Sequence, residues 1–451
     1  MILKKEIYFP IEIKPREFVS RALLGAIFAD HGYRVYIGTK NTINTAVLSK
    51  TDKSGVYFYK GTRPRGDTQN LLLKVDAFCV LDEEMGIAVR NLDEALEQRV
   101  RGMENADKFF TISRQLADAT IKVCPESKPK VSATGWPRVD TWRPEMAHLF
   151  WRQAQIYKQR FGDFVLFTSD FGTLSQKRID HEAERLKRYG YPDSYISGFI
   201  AKSSKTLADF GFFCEDLHRY DTMPNAPLLI VRPHPAEDHA IWEERLQGLT
   251  QVKVVYEGEV SGWLQASRML VHRGCTTAVQ ARVGGKPAFF WAPENSTPAT
   301  EILPYKVSAP ILTLTELADH WDDPDEAMRR ATIPQYQLEL GEKLSIERIF
   351  EEVDALGIKP TYKAHFGLKK RLHARAREAW RHLIKSNTYL AHIFISKKQA
   401  RKIQNGFHVA ELMSFLGDAF PEKAYRINQV SLDLLLLESD KTYALDSSKH
   451  R

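Results

Sequence analysis

Eleven short apolar runs, most of them set apart by a helix-length segment, constrain the fold of this chain more than any other feature. Six fall in the first third: Ile7–Ile11, Arg34–Gly38, Val56–Tyr59, Ala77–Leu81, Lys108–Thr111 and Lys130–Ala133. Five more follow at Phe164–Ser169, Leu228–Arg232, Val252–Tyr256, Arg268–His272 and Ala288–Trp291. Between the first two runs, Leu23, Leu24, Ile27 and Phe28 recur at helical spacing and Gly32 gives a stop. Strands alternating with helices imply βαβ units and parallel sheets. The expected fold class is therefore α/β, with two α/β domains facing a cleft.

The segment TGWPRVDTWRP (Thr134–Pro144) marks a domain edge by its glycine and prolines. The expected division is a first domain over 1–150, a second over 151–330, and a helical C-terminal extension over 331–451. Between Ser175 and Met223 a long charged stretch reads as mostly helical, a lid or an insertion. In the extension, Val409–Phe420 and Val430–Leu437 also read as helices. KKRLHARAREAWRHLIK (Lys369–Lys385) carries seven Lys or Arg against one Glu. Leu372, Ala376, Ala379, Trp380, Leu383 and Ile384 share one face there, which suits either an anionic membrane surface or a solvated face of a packed helix.

Charge and cysteines narrow the classes further. Across 451 residues the formal net charge is +7, a mild bias toward anionic partners. That charge gathers in the tail without interleaved stacking aromatics, so no nucleic-acid partner is expected. Cys79, Cys124, Cys214 and Cys275 form no CxxC pair, which fits a reducing, cytoplasmic setting and no structural metal. The N-terminal run carries charge and does not read as a signal peptide, and no apolar run approaches about 18 residues. The sequence contains no GxGxxG or GxxxxGK[ST] loop, against dinucleotide oxidoreductases and P-loop NTPases.

The polar groups that follow the apolar runs are the candidate chemistry. LLIVRPHPAED (Leu228–Asp238) and VHRGCTTAVQARVGGKPAFFW (Val271–Trp291) each place such groups where a strand ends, which is where ligands bind in open α/β sheets. CTTAVQA reads as a helix start with Thr276 or Thr277 capping it, a seat for phosphate. Gly284 and Gly285 suit a tight turn before the next strand.

Several blocks together resemble the bacterial surface carbohydrate biosynthesis family. They are PIEIKPREFVSRALLGAIFADHGYRVYIGTK near the N-terminus, GVYFYKG (Gly55–Gly61), LDEEMG (Leu81–Gly86), TGWPRVD, RPHPAED and HRGCTTAVQARVGGKP, in that order over roughly residues 5 to 320. The functional relatives it is most similar to are retaining β-Kdo transferases of lipopolysaccharide O-antigen and capsule assembly. The resemblance implies a GT-B-like pair of Rossmann-type domains, with the CMP-Kdo donor on the second and the acceptor on the first. It also implies no cofactor and no dependence on a bound metal. The chain departs from the family at Ser169–Gly172, where many members carry Asn-Phe-Ser, at Gln280, where glutamate is common, and at Asp238, where asparagine is common.

On that reading Arg232, His234, Thr276, Thr277 and Gln280 are the nucleotide-binding candidates, His234 aimed at the departing phosphate. Retention needs a carboxylate nucleophile, Asp238 or its neighbour Glu237. Adjacent side chains rarely both face one substrate, and the other would serve as a first-turn acid. Asp170 is a candidate general acid or base, and His272 a contact to the sugar or its phosphate. Glu12, Arg16, Lys60, Asp82 and Glu83, close to predicted strand ends, are the acceptor and sugar candidates. A lipid-linked glycan acceptor would account for a basic amphipathic segment at the inner-membrane surface. Two alternatives stand beside this one: a CDP-alditol phosphotransferase of teichoic-acid type, and a non-catalytic nucleotide-sugar-binding scaffold.

Overall fold

A computed structural model describes residues 3–62, 69–83, 85, 87, 92–234, 237–294, 302–325, 329, 331–361, 376, 379, 380, 383 and 406–440. The chain divides into two units: residues 1–149 together with 334–451, and residues 150–333. Each is an α/β unit built on a mostly parallel, Rossmann-like sheet.

In the first unit, β1 (Glu6–Ile11), β2 (Arg34–Thr39), β3 (Val56–Tyr59), β4 (Ala77–Leu81), β5 (Lys108–Thr111) and β6 (Val131–Ala133) all run parallel. In the second, the strands are β7 (Phe164–Thr168), β8 (Leu228–Arg232), β9 (Val252–Val254), β10 (Met269–His272), β11 (Ala288–Trp291) and β12 (Ala309–Ile311). Their order is β12-β11-β10-β7-β8-β9, again parallel throughout. β7 and β10 are buried on both faces, so they read in the sequence as continuous apolar runs rather than as an alternation. All eleven expected strands are present, displaced at their ends by at most two residues. The three-residue β12 carries too short a run to be read beforehand.

The C-terminal residues depart from expectation. Val430–Leu437 is not helical: it belongs to an antiparallel hairpin of β13 (Tyr425–Ser431) and β14 (Leu434–Ser439). β14 pairs antiparallel with β2, so the first sheet runs β13-β14-β2-β1-β3-β4-β5-β6. Leu434, Leu435, Leu436 and Leu437 are all buried, and a four-leucine run without alternation carries no strand period. The hairpin turn lies so close to β2 that a Cβ on Gly38 would stand 2.3 Å from the Asp433 carbonyl oxygen. Helices do occur here, at Ser345–Asp354 and Val409–Ala419. They belong to the first unit rather than to a separate extension: Phe350 stacks on His31, Phe407 meets Phe18, and Lys14 Nζ donates to Glu411. Of Lys369–Lys385 only Ala376, Ala379, Trp380 and Leu383 lie among the described residues, all exposed.

The stretch from Ser175 to Met223 forms two helices, Gln176–Arg188 and Asp193–Asp221. Phe210, Phe213, Cys214, Leu217 and Tyr220 of the second join Trp242 and Trp291 in the core of the second unit. Among the described residues no helix is long and apolar enough to cross a membrane.

Candidate functional site

Each sheet has one place where strand order reverses, and an open α/β sheet presents its ligand crevice there, outside the carboxyl ends of the strands. In the first sheet the reversal lies between β1 and β3, and in the second between β7 and β10. The residues that follow these four strands are Glu12, Lys60, Ser169 with Asp170, and Arg273.

At the β7/β10 crevice Asp170 is the distinctive group. Burial, with the nearby Glu237 charge, raises its carboxyl to about 6 although Arg273 opposes the shift. Its Oδ1 is buried and finds no hydrogen-bond partner among the described residues. A carboxyl in this state is suited to hold or release a proton near neutrality. Arg273 ion-pairs with Asp209 and lies 5.0 Å from the Phe171 ring centroid. Cys275 stands near enough for the Asp170 charge to raise its thiol further, after burial, and its Sγ lies 3.1 Å from Thr277 Oγ1. Thr276 holds the N-cap position of the helix Thr277–Val283, yet its side chain makes no capping bond.

Glu237 and Asp238 part company completely. Glu237 is 3% exposed and accepts from Ser169 Oγ at 2.7 and 2.8 Å, Gly172 N–H at 2.9 Å, Trp242 Nε1 at 2.9 Å and His234 N–H at 3.3 Å. Both carboxylate oxygens are consumed in tying the loop after β7 to the turn after β8. Asp238 is exposed and caps the helix His239–Arg245, accepting from Ala240 N–H at 3.3 Å. His234 is exposed at the end of β8, and the His239 ring lies tilted against Tyr256, centroids 4.4 Å apart.

Three other candidates are held inside the second unit. Arg232 donates to the carbonyls of Glu257 at 2.6 Å and Gly258 at 2.7 Å, stitching β8 to the loop after β9. Gln280 is buried and donates to Ser261 Oγ at 2.6 Å. His272 is fully buried, and burial lowers its imidazole to about 3, so the ring is neutral. Its Nδ1 accepts from Gly274 N–H at 2.9 Å, which leaves Nε2 to donate to Ser308 Oγ at 2.9 Å. Ser308 Oγ in turn donates to the Pro304 carbonyl. His272 therefore fixes the start of the loop that carries Arg273 and Cys275. Gly284 and Gly285 end the helix ahead of β11, Gly285 with φ +73°.

At the β1/β3 crevice the first unit has a cleft of about 530 Å³, its open mouth included. Glu12, Arg16, Lys60 and Glu83 line it, while Asp82 is buried beside Arg99 and does not. Glu12 accepts from Lys40 at 2.7 Å and Lys60 at 2.5 Å. Burial alone would raise the Glu12 carboxyl, but the two ammonium groups outweigh it and hold it low. Lys40 also donates to Tyr59 Oη at 2.8 Å. Deeper in, the Glu17 carboxyl is raised by burial, Arg21 pairs with Glu83 at 3.1 Å, and Glu83 accepts from Arg138 N–H. The lining holds five Lys or Arg against three Glu, an excess of two positive charges. Arg273, Cys275, Lys40, Glu17, Arg21 and Arg138 all lie inside the blocks that carry the resemblance, yet the blocks alone give none of them a role. Strand-end position singles out two of them: Arg273 directly follows β10, and Lys40 directly follows β2.

No family model matches the chain, and no curated protein matches it. Solved structures similar to it include the wall teichoic acid polymerase TagF, at 9% identity and a TM-score of 0.39, over 87% of this chain and 90% of that one. MnaA of S. aureus with UDP is 12% identical, TM-score 0.46, over 81% and 100%. The Methanocaldococcus jannaschii UDP-GlcNAc 2-epimerase with UDP-GlcNAc and UDP is 14% identical, TM-score 0.44, over 78% and 100%. Likenesses at this depth say nothing about the reaction.

Proposed function

We propose that the protein is a metal-independent glycosyltransferase that moves Kdo, or a related ulosonic acid, from its CMP-linked form onto a surface-polysaccharide or lipid-linked glycan. The observation that carries the reading is Asp170, a carboxyl poised near neutrality at the strand-order reversal of the second sheet. The motif resemblance adds the sugar class. The donor is assigned to the second unit, its phosphate near His234, Thr276 and Thr277. The acceptor is assigned to the cation-rich cleft of the first. Exposed Trp380 and Leu383 favour membrane contact through Lys369–Lys385.

Transfer with retention takes two displacements. Asp238, exposed where Glu237 is not, supplies the nucleophile. Its Oδ forms a bond to the anomeric carbon as the bond from that carbon to the phosphate oxygen breaks, and CMP leaves with the electron pair. The acceptor hydroxyl then attacks the same carbon, the ester bond to Asp238 breaks, and Asp170 takes up the hydroxyl proton.

Intact-protein mass spectrometry after incubation with CMP-Kdo tests this. Wild type should gain one Kdo residue, and Asp238→Asn should not. Asp170→Asn should retain the adduct but turn it over at least about 100-fold more slowly, the usual reach of a lost acid–base group. If no adduct forms and no acceptor releases CMP, the Kdo reading fails. A polymer product containing phosphorus from a CDP-linked donor would instead establish the alditol phosphotransferase, and donor binding without turnover the scaffold.

A further inference from the structure

The two helices between β7 and β8 carry a feature that neither crevice uses. Residues 193–209 of the helix Asp193–Asp221 include no buried residue, and burial begins only at Phe210. At about 1.5 Å per residue that is roughly 25 Å of helix, flanked by Gln176–Arg188, which packs beside it. At the turn joining them, every residue from Lys187 to Tyr195 is exposed, including Tyr189 at 72%, Tyr191 at 46% and Tyr195 at 55%. The turn is ordered rather than loose. Gly190 has φ +76°, and Tyr191 N–H closes back on the Leu186 carbonyl at 3.2 Å, the glycine-terminated end of a helix. From Arg185 to Lys205 the chain carries five Lys or Arg and one acid, Asp193.

We propose that this tip docks on an anionic phospholipid bilayer. Tyrosine is the residue that settles at the lipid–water boundary, with its ring in the apolar layer and its hydroxyl wet. Lys187 and Arg188 flank the tyrosines and complement the surface charge, each such cation strengthening attraction roughly fivefold. Ile200, 38% exposed, continues the apolar character one turn and more below Tyr195. A nucleic-acid partner fits less well: Tyr191 and Tyr195 stack on each other at 5.0 Å, occupying faces that bases would need. The proposal does not depend on which sugar the protein transfers.

The test is co-sedimentation of the full chain with vesicles of phosphatidylcholine alone or with 30 mol% phosphatidylglycerol (about a third, enough to make the surface anionic). Hydrogen exchange is followed on the same samples. Wild type should bind the phosphatidylglycerol vesicles at least about tenfold more tightly and gain protection over residues 185–200. Two variants read the two components separately. Tyr189→Ser with Tyr191→Ser and Tyr195→Ser removes the rings, and Lys187→Glu with Arg188→Glu reverses the charge. Each should weaken binding about tenfold or more while the melting temperature holds, since all five side chains are exposed. The proposal is overturned if wild type ignores phosphatidylglycerol. It is equally overturned if both variants bind as wild type with protection confined to 369–385, or if they lose only binding to a single-stranded oligonucleotide.

Discussion

Asp170 and Glu237 show how two carboxylates a few residues from the same crevice are put to opposite uses. Glu237 is surrounded by donors and holds two loops together. Asp170 is buried without that company, and its carboxyl titrates near 6 instead of its ordinary 3.8. A raised acid stabilises the fold in its protonated form, so that contribution is complete below about pH 3.8 and is lost as pH rises through about 6. Above it, the ionised group costs the native state on the order of 3 kcal/mol, from a shift of about two units at 1.36 kcal/mol each. Asp170→Asn should therefore raise the unfolding free energy of the second unit by about 2–3 kcal/mol at pH 8. At pH 4 it should do almost nothing. Urea denaturation of both proteins at the two pH values checks this, and a gap that does not widen with pH would remove the electrostatic account. His272 acts with the opposite sign. Its folded value of about 3 against 6.5 means stability present above pH 6.5 and lost as pH falls toward 3.

At the scale of elements, β14 depends on one glycine. A Cβ at position 38 would meet backbone at 2.3 and 3.1 Å, the Asp433 oxygen and the Leu434 Cα, neither of which can swing aside. Gly38→Ala should push the hairpin off β2 and cost about 2 kcal/mol or more. Amide protection at Leu435 and Leu437 reports it, and unchanged protection there would count against the close approach as a determinant. This contact also shows where sequence reading stops. The eleven strands are legible because each is a short apolar run bounded by polar or glycine residues. The C-terminal hairpin is not, because LDLLLL suits a helix equally and only the open edge of β2, some 400 residues earlier, decides the matter. In the candidate site, strand-end positions of Asp170, Glu12 and Lys60 are legible from the same runs. What Arg232, His272 and Gln280 do is not, since their partners at Glu257, Ser308 and Ser261 come from separate loops and helices.

At the scale of the whole molecule, the second unit is one continuous stretch of 184 residues, 150 to 333, set inside a first unit made of two separated pieces. The two units should therefore differ in their tolerance of truncation. Ending the chain after residue 405 leaves the second unit whole but removes the helix Val409–Ala419, β13 and β14 from the first. Leu434, Leu435, Leu436 and Leu437 are each at most 3% exposed. At roughly 1.5–3 kcal/mol per buried leucine their loss amounts to about 6–12 kcal/mol, comparable to the entire stability of a typical domain. It also strips the edge of β2, leaving buried Val35 and Ile37 and a row of unpaired backbone groups open to water. Lys14, whose ammonium sits on the Gly406 carbonyl and Glu411, would lose both partners. The first unit should then fail to give a cooperative transition, while the second melts as it does in the intact chain. Residues 150–333 expressed alone should reproduce that surviving transition. Scanning calorimetry of the three proteins decides the matter, and a truncated chain that kept two transitions would mean that the first sheet closes without its last two strands.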